Sequence, residues 1–285
     1  MANRPSPPRN LAGEGPRVRA KIAIGPLPQH CPKVAAPKTV GQKPMTALLL
    51  VHGAAHGRWC WKPVLAELQQ REVIANAIDL PAHGDNHCWP WRVTMQTYSD
   101  AICEAVRKMN YPVAVLGHSL AGSAIAVAVE QHPELFDKAI FLCALFPTNG
   151  MSMLQLCFAN GRRPSAFRNG KYSILRGTIE ARTSHAREAF FGRLPTEAAN
   201  HCLARLTPEP FLPFLHKFRL SAERFGRIEK HYIECMADRS ISIGHQRWMQ
   251  TGGNFASVES LFCGHSPFLE CPRQLVDAIL RILKR

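Results

Sequence analysis

The sequence predicts an α/β protein: a mostly parallel sheet with helices on both faces. Three observations carry that expectation. Short apolar runs recur along the chain, helix-period segments separate them, and Gly, Pro or Asn turns bound each one. With 285 residues, 46% of them hydrophobic, one such sheet can fill its core within a single domain.

In chain order, strands are expected at Ala47–His52, Val73–Leu80, Val113–Gly117 and Lys138–Ala144. Helices are expected between them at Lys62–Glu72, Thr97–Asn110 and Ala121–His132. Strand, helix, strand in succession is the pattern of parallel βαβ units. His231–Cys235 and Ser257–Phe262 read as two later strands, and a helix starts at Pro272. Between Phe146-Pro147 and about Ile228 the alternation stops. This insertion, about residues 147–228, is rich in phenylalanine and interrupted by prolines, and it is expected to form a helical cap over the sheet's carboxyl edge. Most of its aromatics are expected to form the cap's own core, and the others to line an apolar pocket.

Gly117-His118-Ser119-Leu120-Ala121 lies between the apolar run Val113–Leu116 and a helical segment rich in small residues. A serine on a tight turn between strand and helix is a nucleophile elbow, with its hydroxyl exposed and the next N–H aimed at the reacting carbonyl. Ala121 stands where the pattern usually ends in glycine, and Gly122 follows it. A serine nucleophile needs a base, and the base an orienting acid, here in the order Ser, Asp/Glu, His. Asp238 follows the strand ending at Cys235 and is the expected acid. Glu234 is the competitor, but it lies inside the strand, where its side chain faces one side of the sheet. His265 follows the last strand, precedes the last helix, and is the expected base. The first strand leads into His52-Gly53-Ala54-Ala55-His56-Gly57, where Gly53 would let the backbone bend. The Ala54 and Leu120 N–H groups are therefore the expected oxyanion donors.

His52–Trp59, Asp79-Leu80-Pro81-Ala82-His83-Gly84, Gly117–Leu120, Tyr232–Asp238 and Gly264-His265 together resemble the plant methylesterase and hydroxynitrile lyase family, including its bacterial esterases. The resemblance covers about Thr46 to Arg285. It implies an α/β-hydrolase fold, a Ser119–His265–Asp238 triad and an oxyanion hole of the Ala54 and Leu120 amides. The family's lyases carry threonine where Gly53 stands and lysine where Ser266 stands, so both lyase marks are missing.

The expected function is a serine carboxylesterase acting on small apolar or aromatic esters, with no cofactor and no metal. The alternatives are a lyase or other C–C bond-cleaving enzyme on the same triad, or a catalytically weak ligand-binding protein. His83, Asp85 and His87 are the one cluster that suggests a metal, yet a turn after a strand explains them without one. Residues 1–44 are rich in proline and carry eight Lys/Arg against a single acid, Glu14, which is half the net charge of +14. Such a segment buries too little to order itself, so it is expected to be a disordered extension dispensable for catalysis. Val18, Ala20, Ile22 and Ile24 nevertheless alternate as a strand would. The remaining excess is spread over 241 residues, which reads as a solvated surface and not a nucleic-acid site. No signal peptide and no membrane span is expected. Ten cysteines include no C-x-x-C, which fits reduced thiols in the cytoplasm. The sequence leaves the oligomeric state, homodimer included, open.

Overall fold

Along Ala47–Val51 the side chains alternate between two apolar clusters. Leu49 and Val51 join Val115, Phe141 and Tyr232, while Leu48 and Leu50 join Leu116, Ile140 and Ile233. This period-two division runs through a computed structural model that describes residues 46–159 and 170–285. The expected strand near Val18–Ile24, and the extension to residue 44, lie outside the described residues.

The chain runs β1 (Ala47–Val51), α1 (Lys62–Gln70), β2 (Ala75–Ile78), α2 (Met95–Arg107), β3 (Val113–His118), α3 (Ala121–Gln131) and β4 (Phe136–Leu142). An insertion follows, with α4 (Met153–Phe158), β5 (Lys171–Ser173), β6 (Thr178–Glu180), α5 (Thr183–Phe191), α6 (Thr196–Leu203) and β7 (Glu209–Pro210). The chain closes with β8 (Glu229–Cys235), α7 (Ile243–Gln250), β9 (Ser257–Leu261), α8 (Pro267–Glu270) and α9 (Pro272–Leu283).

The main sheet has the order β2-β1-β3-β4-β8-β9, and every neighbouring pair is parallel. Met95, Tyr98 and Ile102 of α2 and Ile125 and Val129 of α3 cover one face. Val64 and Leu68 of α1 and Leu275, Ile279 and Ile282 of α9 cover the other. A sheet buried on both faces explains why its strands read as unbroken apolar runs. Element ends moved by a few residues where capping decided them. α2 begins at Met95 and not Thr97, because the Thr94 hydroxyl accepts from the Thr97 N–H while the Thr97 hydroxyl accepts from the Thr94 N–H.

The insertion is not purely helical. Its β5, β6 and β7 form a small antiparallel sheet, with a hairpin whose turn includes Gly177 at φ 65°. Its aromatics also divide differently from expectation. Phe190 and Phe191 pack with Ala186, Ala189, Ala199 and Cys202 in the insertion's own cluster, but Phe218 and Phe225 join the main core. Phe158 and Tyr172 are exposed, and Phe167 lies outside the described residues. Among the described residues, no helix is long and apolar enough to cross a membrane.

Candidate active site

Ser119 follows the carboxyl end of β3 with φ 54°, a left-handed backbone that a residue with a side chain adopts only under constraint. Its N–H donates to Leu142 O at 3.2 Å, and its carbonyl accepts from Gly122 N and Leu145 N at 3.1 and 2.9 Å. Close packing fixes the turn. A Cβ added at Gly117 would lie 2.7 Å from Ala121 O and one at Gly122 2.6 Å from Ala144 Cβ, so the turn needs glycine at both 117 and 122, and Ala121 is accommodated between them.

The loops after β8 and β9 bring two further predicted residues to the same edge. His265 Nε2 lies 3.0 Å from Ser119 Oγ, and His265 Nδ1 lies 2.7 Å from Asp238 Oδ2. A carboxylate only accepts, so Nδ1 carries the proton and Nε2 is the free base facing the hydroxyl. The Asp238 carboxylate is buried and well supplied with donors. Oδ1 accepts from Ser240 N at 2.7 Å and Ile241 N at 2.9 Å, and Oδ2 accepts from Gln246 Nε2 at 3.3 Å. Gln246 lies on α7 and also spans the Cys235 backbone, donating to its carbonyl and accepting from its N–H. Glu234 is engaged elsewhere, with Arg247 at 2.8 Å and with Gln250 and Ser260. Burial alone would raise its carboxyl, but those donors outweigh it and hold the carboxyl below the usual range.

Ala54 and Leu120 are both buried, and among the described residues no group accepts a hydrogen bond from either N–H. Gly53, expected to let the backbone bend, is needed instead for proximity. Its own φ is not positive, whereas a Cβ there would lie 2.7 Å from Ser119 Cβ and 2.8 Å from His118 Nδ1. The left-handed residue of this loop is Ala55, at φ 61°.

Histidines crowd the site, and burial keeps several of them neutral. His118 Nε2 donates to the His265 carbonyl at 2.8 Å, and burial holds its pKa well below 6.5. His56 Nδ1 donates to Ala54 O at 2.8 Å, and burial lowers its pKa to about 4. His52 donates to Gly53 O and accepts from Leu80 N, and it too is held well below 6.5 by burial. Phe190 of α5 stacks on the His265 ring with centroids 5.5 Å apart, so the insertion lays an apolar wall against the base.

The residues that suggested a metal do not gather. His83 is buried against Glu209, while Asp85 is exposed and pairs with Arg58. Among the described residues, the group with metal-ligand spacing is His118, Cys143 and His265, and there His118 Nε2 and Cys143 Sγ both face the His265 carbonyl. Sequence reasoning missed Gln246, His118 and Glu209. His118 had a usable signal in its place inside the elbow; the other two meet their partners only through the fold.

A strained serine after β3, a histidine after β9 and a carboxylate after β8, on a parallel sheet of this order, define an α/β-hydrolase. The family model described as "Alpha/beta hydrolase family" matches residues 48–278, and the chain belongs to that family. Within it, the chain is similar to the plant methylesterases and esterases. It is 27% identical to Methylesterase 2 of Arabidopsis thaliana over 252 residues, covering 82% of this chain and 94% of that one. It is also 27% identical to Esterase PIR7B of Oryza sativa subsp. japonica over 262 residues, covering 83% and 95%. The crystal structure of polyneuridine aldehyde esterase superposes with a TM-score of 0.76 at 22% identity, covering 84% of this chain and 99% of that one.

Proposed function

We propose that the chain is a serine carboxylesterase acting on small apolar or aromatic esters through an acyl-enzyme. The observation that carries this reading is the hydrogen-bonded series from Ser119 Oγ to His265 to Asp238, 3.0 and 2.7 Å long. Ser119 attacks the ester carbonyl while His265 Nε2 takes its proton, and Asp238 stabilises the imidazolium that forms. The Ala54 and Leu120 N–H groups hold the oxyanion, and with no acceptor for either among the described residues they are available for it. His265 passes its proton to the leaving alcohol and then activates a water that releases the acid. The described part of the insertion, carrying α5 and α6, acts as the lid, with Phe190 contributing apolar surface beside the base. The plant relatives' esterase names support the same class.

The test is a hydrolysis screen over p-nitrophenyl and methyl esters, run with Ser119→Ala alongside. Turnover that falls by roughly 10⁴–10⁶ in the variant, with the fold intact by circular dichroism, is the expected result. A fluorophosphonate that labels Ser123 or Ser266 in place of Ser119 overturns the assignment.

A further inference from the structure

Glu209 is a fully buried carboxylate that the proposed chemistry does not use. It stands on β7 of the insertion, yet its partners belong to three separate parts of the main body. Oε2 accepts from Ala55 N at 2.7 Å and faces His83 Nε2 at 2.9 Å, and Oε1 accepts from the Tyr98 hydroxyl at 3.0 Å. His83 Nδ1 faces Pro81 O at 3.0 Å, so both ring nitrogens meet groups that only accept. That environment selects the imidazolium: burial opposes the charge, but the Glu209 carboxylate outweighs it and raises the His83 pKa. The result is a buried ion pair.

The pair grips one particular peptide. Ala55 N–H donates to Glu209, and the carbonyl of the same Ala54–Ala55 peptide unit accepts from His56 Nδ1 at 2.8 Å. Ala55 O in turn accepts from Thr207 N at 2.9 Å, two residues before Glu209. Ala55 is left-handed without being glycine, a conformation that needs such restraint. A buried ion pair is a weak way to gain stability, since desolvating both charges offsets their attraction. Here it also fixes the plane of the peptide next to the Ala54 N–H.

We propose that Glu209 is a positioning residue that aims the Ala54 N–H at the reacting oxygen, so that the insertion holds the oxyanion loop in its working geometry. This rests on the esterase reading above. An oxyanion donor acts in the transition state more than in the ground state, so a loosened Ala54 lowers kcat and leaves KM nearly unchanged.

The experiment compares Glu209→Ala, Glu209→Gln and Glu209→Asp in the full chain, with kcat and KM measured on one p-nitrophenyl ester. Folded enzyme is counted by the end point of fluorophosphonate titration. Glu209→Ala should lose about 10²-fold in kcat, the magnitude for one missing oxyanion donor, with KM altered by less than about threefold. Glu209→Gln, whose amide oxygen still accepts from Ala55 N–H, should recover most of that loss. Glu209→Asp keeps the charge but falls a methylene short, and should not. If the alanine variant does not fold, the Gln and Asp pair decides by the same criterion. Wild-type kcat per folded site in the Ala or Asp variant, or a loss confined to KM, overturns the proposal. If wild-type protein hydrolyses no ester, the esterase reading has failed, and the same comparison is made on the rate of Ser119 phosphonylation.

Discussion

His118 donates from Nε2 to the backbone carbonyl of His265 at 2.8 Å, so the residue before the nucleophile holds the main chain of the base. Their rings lie 4.7 Å apart, and burial keeps His118 neutral with its proton on the donating nitrogen. Removing this tie frees the loop that aims His265, and misplacement of about 1 Å can cost about 10²-fold in rate. His118→Leu should therefore lower kcat by up to about that factor, while His118→Gln, with an amide donor of similar reach, should retain more. Steady-state kinetics on one ester checks it; equal loss in the two variants would mean that packing, and not the hydrogen bond, is what matters.

Asp238 and Glu234 are four residues apart and face different work. Asp238→Asn should cost about 10⁴ in kcat, as expected where an acid orients a catalytic imidazole. Glu234→Gln should cost far less in rate, because it weakens the pairing with Arg247 and not the base. The opposite ranking of the two variants would transfer the acid's role to Glu234.

Acid should destabilise the fold from about pH 6.5 downward through its buried histidines. Burial lowers His56 from 6.5 to about 4 and holds His52 and His118 well below 6.5. Between about pH 6.5 and 4 the unfolded chain therefore binds more protons than the native one, and stability falls as pH falls through that window. For His56 the shift corresponds to about 3 kcal/mol at the acid end. His83 works in the opposite sense: its raised pKa gives stability that is present at low pH and lost as pH rises through that value. Thermal melts from pH 4 to 7.5 should show a shallower acid slope for His56→Asn, whose amide can still donate to Ala54 O. Parallel curves for wild type and variant would refute this account.

Mandelonitrile should not be cleaved. Departing cyanide needs a cation in the pocket, and Ser266, buried directly after the base, is neutral. Gly53, with Ser119 Cβ 2.7 Å from where its Cβ would be, leaves no room for a threonine unless the backbone moves. A cyanide assay should read background with wild-type protein. Release at a rate comparable to ester hydrolysis, abolished by Ser119→Ala, would replace the esterase with a lyase.

What the sequence determined by itself is what local pattern can encode. Short apolar runs bounded by turn residues specified the six strands of the main sheet, because strands of a sheet covered on both faces are apolar on both of their sides. The small residues around Ser119 marked the elbow, and the places of Asp238 and His265 just after strands put them at the sheet's carboxyl edge. The tertiary structure decided everything that depends on distant partners. Glu209 meets His83 across 126 residues of chain, and no spacing in the sequence records that pairing. Gln246 reaches Asp238 only because α7 packs against β8, and Gly53 matters only because β1 and β3 are neighbours. The short antiparallel sheet of the insertion escaped notice because two- and three-residue strands carry too little period to read. Residue type shows what a side chain can do; the fold sets which group it meets at 3 Å, and that contact decides whether a buried carboxylate or histidine is charged.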